Sequence, residues 1–147
     1  MDKKVTMEDL APLIHECLNS GGSFKLTVTG SSMAPTLWPG RDSVVLTKSD
    51  KIKKRDIIFY LRDNGTYVLH RIIGVKGNDF VLCGDNQHIR VYPIRPDQVI
   101  AKVTDLYRNG RHISAKSLRY RLYVYLWCIS IKIRPLVCRV YLKLRNR

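Results

Sequence analysis

Two side chains in this sequence are of types that do covalent chemistry together: Ser32 and His70. Ser32 lies in Thr29-Gly30-Ser31-Ser32-Met33-Ala34-Pro35-Thr36-Leu37, directly after the strand-like run Ser23–Thr29. Gly30 permits a sharp turn there, and Pro35 fixes its own φ and steers Ala34 away from helical geometry. A serine raised out of such a turn is well placed as a nucleophile. Its free hydroxyl is weak and needs a base within hydrogen-bond reach. His70, in Val68-Leu69-His70-Arg71-Ile72-Ile73-Gly74, can be that base, because an ordinary imidazole is mostly neutral at pH 7. Asp85, in the turn Gly84-Asp85-Asn86, offers a carboxylate to orient the imidazole. Otherwise it is a turn residue, and Ser32 and His70 work as a dyad. Ser31 is the alternative nucleophile. The Ser32 amide N–H is a candidate donor to a developing oxyanion.

The elements that must hold these groups are mostly strands. Ser23–Thr29, Asp42–Thr47 and Asp56–Arg62 are short β-rich runs. Asp63-Asn64-Gly65 is a hairpin signal, with Thr66–Ile73 as the returning strand. Asp79–Cys83 and Gln98–Val103 complete the set, and Asn109-Gly110 turns the chain again. Short strands separated by turns predict a mainly β fold, a small antiparallel barrel or rolled sheet. Period-2 alternation sets His70 on one face with Val68 and Ile72, opposite Leu69, Arg71 and Ile73. Before the strands, Thr6 caps a helix whose apolar residues, Leu10, Leu13, Ile14, Cys17 and Leu18, recur at helical spacing. Asn19–Gly22 stops it. One such helix is too little for a helix-turn-helix, which needs two.

The three chemical pieces, in this order, resemble the signal peptidase family of serine proteases, of the S24/S26 type. The family's Ser-Met-x-Pro-Thr-Leu pattern is matched by Ser32–Leu37, which favours Ser32 over Ser31. Its base-then-Arg strand is matched by His70-Arg71, and its Gly-Asp-Asn turn by Gly84-Asp85-Asn86. Bacterial members usually carry Lys as the base. His70 resembles the branch found in endoplasmic-reticulum, archaeal and some spore-former enzymes. The resemblance runs from Phe24 to Val103 and implies an all-β catalytic core, an acyl-enzyme route, and a leader or signal peptide cut after small side chains. It implies no cofactor or metal. Members often place another Asp beyond the turn, whereas here none intervenes between Asp85 and Asp97. Some relatives carry a hydroxyl where this chain has Gly30. Gly40-Arg41-Asp42-Ser43-Val44-Val45 and Lys54-Arg55-Asp56-Ile57-Ile58 resemble two scaffold strands of the family, with Arg55 where glycine is usual. Asp42, Asp56 and Arg71 read as structural.

The charge is unevenly placed. The formal net charge is +14, and residues 111–147 contribute ten basic residues and no acid. That block suggests an anionic partner. Leu122–Ile133 is nearly all apolar and Val137–Leu144 mixes apolar with basic residues, with Pro135 between them as a breaker. The apolar run falls short of the roughly 20 residues a spanning helix needs. An interfacial amphipathic pair fits better, with Tyr120, Tyr123, Tyr125, Trp127 and Tyr141 in the headgroup layer and Arg and Lys on anionic lipid. Helix is the expectation here, although Val, Ile and Tyr also form strands. Cys17, Cys83, Cys128 and Cys138 show no zinc spacing and fit a reducing compartment. Met1–Leu10 has no apolar run of the kind a signal or anchor needs.

The expected organisation is therefore an N-terminal helix over 1–22, a β catalytic domain over 23–113, and a basic apolar tail over 114–147. The expected function is a serine endopeptidase with Ser32, His70 and Asp85 at its site, cytoplasmic or peripheral on the cytoplasmic face of an anionic membrane, with nucleic acid not favoured as partner. Two rivals belong to other classes. One is a self-cleaving regulator related to the SOS-repressor proteases, which use Lys as base. The other is a basic membrane- or nucleic-acid-binding module without activity.

Overall fold

The computed structural model describes residues 5–145. Residues 1–4, part of the N-terminal stretch read above, lie outside them, as does the side chain of Cys138. Helix α1 (Met7–Asn19) opens with the capping box expected of Thr6 and an acid three residues on. The Thr6 side chain accepts from the Asp9 amide, and Asp9 answers to the Thr6 amide at 3.1 Å. Ala11, Ile14 and Leu18 are the buried residues of its inner face.

Eight strands follow: β1 (Ser23–Thr27), β2 (Ser43–Thr47), β3 (Ile57–Leu61), β4 (Tyr67–Lys76), β5 (Asp79–Cys83), β6 (Val91–Ile94), β7 (Val99–Arg108) and β8 (Arg111–Ser114). They form one antiparallel sheet in the order β1-β2-β7-β3-β4-β5-β6, with β8 paired to β7. The fold is mainly β, as the strand and turn signals imply. Two strands are not evident from sequence. β6 contains Pro93, a poor strand residue away from an edge, and it is tolerated because β6 is an edge strand. β8 is four residues long and is legible only as the return from the Asn109-Gly110 turn.

β3 is buried on both faces, and its alternation separates two apolar clusters. Ile57 and Phe59 join a cluster with Ile14, Leu18, Met33 and Leu37. Ile58 and Tyr60 join another with Ile72, Phe80, Leu82 and Ile94, made where the sheet rolls through β3–β6.

The tail forms two helices, α2 (Leu118–Ile129) and α3 (Arg134–Arg145), so Pro135 begins the second rather than merely ending the first. α2 packs on the sheet through buried Tyr120 and Val124. Three aromatic residues expected in a headgroup layer therefore face inward, Tyr120, Tyr123 and Trp127, because their three- and four-residue spacing with Val124 makes them one helix stripe. Arg134, expected at lipid, is fully buried. Among the described residues no helix is long and apolar enough to cross a membrane.

Asp42 shows what holds the long β1–β2 connection. Its carboxylate is fully buried and accepts from the Trp38 amide at 2.7 Å, the Asn109 amide at 3.0 Å and the Arg41 guanidinium at 2.7 and 2.8 Å. Burial pushes its pKa up, but the Arg41 side chain and the two amides outweigh this and hold it below the ordinary carboxylate value. A depressed folded pKa contributes stability above the unfolded value that is lost as pH falls. Asp42→Ala should destabilise the fold by roughly 2–3 kcal/mol, since two amides lose a buried acceptor. Urea melts at neutral pH measure this, and the gap between the variants should narrow toward pH 3.

Candidate active site

Ser32 sits in the connection between β1 and β2, in a turn closed by the Ala34 amide donating to the Ser31 carbonyl at 3.1 Å and the Leu37 amide donating to the Met33 carbonyl at 2.9 Å. The Ala34–Pro35 bond is cis. Met33 and Leu37 root the turn in the first cluster. Ser32 itself is partly exposed. Among the described residues neither its hydroxyl nor its amide N–H has a hydrogen-bond partner. Ser32 instead lines an apolar cleft of about 170 Å³ with Leu26, Val28, Phe59, Leu69 and, from α1, Met7.

The turn at 84–86 clamps this loop. The Asn86 amide donates to the Ser32 carbonyl at 2.9 Å, and the Thr36 hydroxyl donates to Asp85 at 2.5 Å. A Cβ on Gly84 would lie 2.6 Å from the Ser32 carbonyl oxygen, so the approach demands glycine. The pairing of β4 with β5 begins at Arg71↔Cys83. Continuing that register sets Gly84 level with His70, at the point where β5 leaves the sheet. Ser32 thus meets the 84–86 turn through its backbone carbonyl, and the cleft it lines includes Val68 and Leu69, the residues before His70 in β4.

His70 is 2% exposed and lies on the face of β4 that packs against the second cluster. Its Nδ1 is 3.2 Å from the Tyr60 hydroxyl. Burial lowers its pKa to about 4, the nearby Arg62 guanidinium adds to the fall, and Asp85 opposes it. No hydrogen bond joins the ring to Ser32. Asp85, offered by the sequence as the orienting carboxylate, is fully buried with its oxygens on Arg71 at 2.8 and 2.7 Å and on Thr36. The group on the imidazole is Tyr60. The reason is alternation: His70 and Arg71 are consecutive in a strand and project to opposite faces. Tyr60 was missed, although hairpin pairing of β3 with β4, which sets Ile58 opposite His70, brings it near.

A family model described as peptidase S24-like matches residues 2–104. The chain belongs to the peptidase S24-like family. No curated protein and no solved structure matches it. The S24-like family spans signal-peptidase-like and repressor-type self-cleaving proteases, and membership fits a serine peptidase core.

The tail lies beyond the stretch matched by the S24-like model, yet it grips the same turn. The Tyr123 hydroxyl is 2.8 Å from that of Thr36, and Trp127 Nε1 donates to the Asp85 carbonyl at 3.1 Å. Arg134 donates to the carbonyls of Trp127, at 3.0 and 3.1 Å, and Gly84, at 3.4 Å. Arg71 also reaches the Arg55 carbonyl at 2.9 Å and the Tyr120 hydroxyl at 3.4 Å. The groups around Asp85 are thus supplied by β4, the Ser32 turn and α2, with Arg134 of α3 on the neighbouring Gly84. Asp85→Ala should cost about 3–5 kcal/mol, because it leaves the Arg71 charge buried without a counter-ion. Thermal and urea unfolding measure the loss.

Proposed function

We propose that this chain is a serine endopeptidase of the signal-peptidase type, acting on leader or signal peptides, with Ser32 as nucleophile and His70 as base. The match to the peptidase S24-like family over residues 2–104, which contain the Ser32, His70 and Gly84–Asn86 motifs, with a partly exposed Ser32 lining an apolar cleft, supports the reading. On this reading His70 keeps Nδ1–H on the Tyr60 oxygen, which leaves the Nε2 lone pair for the serine. Ser32 Oγ attacks the scissile carbonyl as its proton passes to Nε2. The Ser32 amide donates to the oxyanion, Nε2–H protonates the leaving amine, and water then releases the acyl group by the reverse order of steps. Hydrogen bonds of this kind are often open in the unliganded enzyme and close around substrate. Asp85 and Arg71 act at one remove, by fixing the Ser32 turn. A substrate acted on in trans is favoured over self-cleavage, since among the described residues the segment before β1 is a capped helix with Ile14 and Leu18 buried.

A serine-reactive peptide phosphonate should label the wild type, fail on Ser32→Ala, and react at least ~100-fold more slowly with His70→Ala, the scale expected for loss of a general base. Labelling that survives Ser32→Ala, or spontaneous fragmentation of the pure protein, would exclude this reading.

The buried imidazole also sets a pH signature. A base with a pKa of about 4 is neutral through the physiological range. The acid limb of kcat/KM should therefore fall well below the ordinary histidine value of about 6.5. The stability sign follows the same shift. The unfolded imidazole gains its proton near pH 6.5 and the folded one only near 4, so this contribution is complete above 6.5 and is lost as pH falls between the two. The difference corresponds to about 3 kcal/mol. Urea titrations from pH 7 to pH 4 on wild type and His70→Gln should separate it from other groups.

A further inference from the structure

The tail turns one face to the sheet and leaves another bare. Of the 17 large hydrophobic residues exposed among the described residues, 12 lie between Leu118 and Leu144. On α2 the outward stripe is Leu118, Leu122, Tyr125, Leu126 and Ile129, flanked by Arg119 and Arg121. Leu122 and Leu126 are 60% and 58% exposed. On α3, Leu136, Val137, Val140 and Leu144 recur at three- and four-residue steps and are all exposed, with Arg139 and Lys143 alongside. A helix apolar all round is ordinarily buried all round.

The sheet adds a second feature on the same side. A groove of about 570 Å³ runs between α2 and the loop before β3. Lys53, Lys54, Arg55, Lys116 and Arg121 line it together with Leu118 and Leu122. The one acid lining it, Asp56, is paired with Lys102 at 3.4 Å. Arg55 holds φ +79, a left-handed conformation that favours glycine, and its guanidinium lies 4.9 Å from the centre of the Tyr125 ring. The chain keeps a cation at a position where its backbone geometry favours glycine.

We infer that this face docks on an anionic lipid bilayer, with the outward stripes of α2 and α3 among the upper acyl chains and lipid phosphates in the Lys53–Arg55 groove. Charge and apolarity together select the occupant. A second copy would set nine tail cations and no acid against the same array. A nucleic acid would satisfy the cations but leave the leucine stripe in water. A bilayer with anionic headgroups satisfies both, as for other interfacial helices. The docking does not involve Ser32.

The test is sedimentation of the full chain with vesicles of neutral phosphatidylcholine and with vesicles about one-third phosphatidylglycerol. Binding is expected only to the anionic vesicles. Lys53→Gln with Lys54→Gln should weaken it about 25-fold, at roughly fivefold per cation. Leu122→Glu with Leu126→Glu should abolish it, while Ser32→Ala should bind as wild type. These positions are exposed, and matching thermal melts will show that the variants fold. Absence of binding to anionic vesicles overturns the inference. So does binding that ignores the leucine pair, or duplex DNA binding lost with the lysines while vesicles are not bound.

Discussion

The buried pair between Arg71 and Asp85 is the constraint on which the rest of the site depends. Both side chains are fully buried, so each has lost its hydration and must be repaid locally. Arg71 is satisfied by Asp85, by the Arg55 carbonyl and by Tyr120, and Asp85 by Arg71 and Thr36. The Asp85 charge holds the Arg71 guanidinium protonated against the burial that opposes it. A pair of this kind adds little net stability, but it tolerates almost no displacement. It therefore fixes the relation of four separate pieces: β4, the 84–86 turn, the Ser32 turn and α2.

That constraint also explains which parts of the site were legible in the sequence. Ser32, His70 and the Gly84-Asp85-Asn86 turn stand out as local motifs, and the structure brings the serine turn and the 84–86 turn into contact. The assignment of Asp85 to the imidazole rested on order along the chain. Order carries no information about faces, whereas alternation does. Once Arg71 claims Asp85 on one face of β4, His70 on the other must find a different partner, and Tyr60 from the paired strand is that partner. Arg71 is fully buried, and the identity of the residue it pairs with depends on a contact between β4 and a turn beyond β5.

The fold was more legible than the site because its signals are local. Turn residues at Asn64-Gly65, Gly77-Asn78 and Asn109-Gly110 and the runs between them place most strands within a few residues. The exceptions, β6 and β8, are short elements whose strand character comes from their neighbours rather than from their own composition. The tail shows a related difficulty. Its aromatic residues look alike by composition, but helical spacing divides them: Tyr120, Tyr123 and Trp127 fall on the stripe that meets the rest of the fold, and Tyr125, which is exposed, does not. Only the packing of α2 shows which stripe is the inner one.

The two faces of α2 bear on each other. Its inner face touches Thr36, Asp85 and Arg71, the residues that hold the Ser32 turn, so the same hydrogen bonds fix the helix and the turn. A helix held this rigidly cannot hide its outer leucines by rotating, since rotation would leave Tyr120, Tyr123 and Trp127 without partners and expose a buried charge pair. The exposed stripe is therefore a consequence of how the site is built. Whatever covers it must come from outside the described fold, and it then acquires a fixed orientation relative to the cleft beside Ser32. On the proposed docking, the membrane is that cover, and the distance from bilayer to cleft is set by the same hydrogen bonds that position the serine.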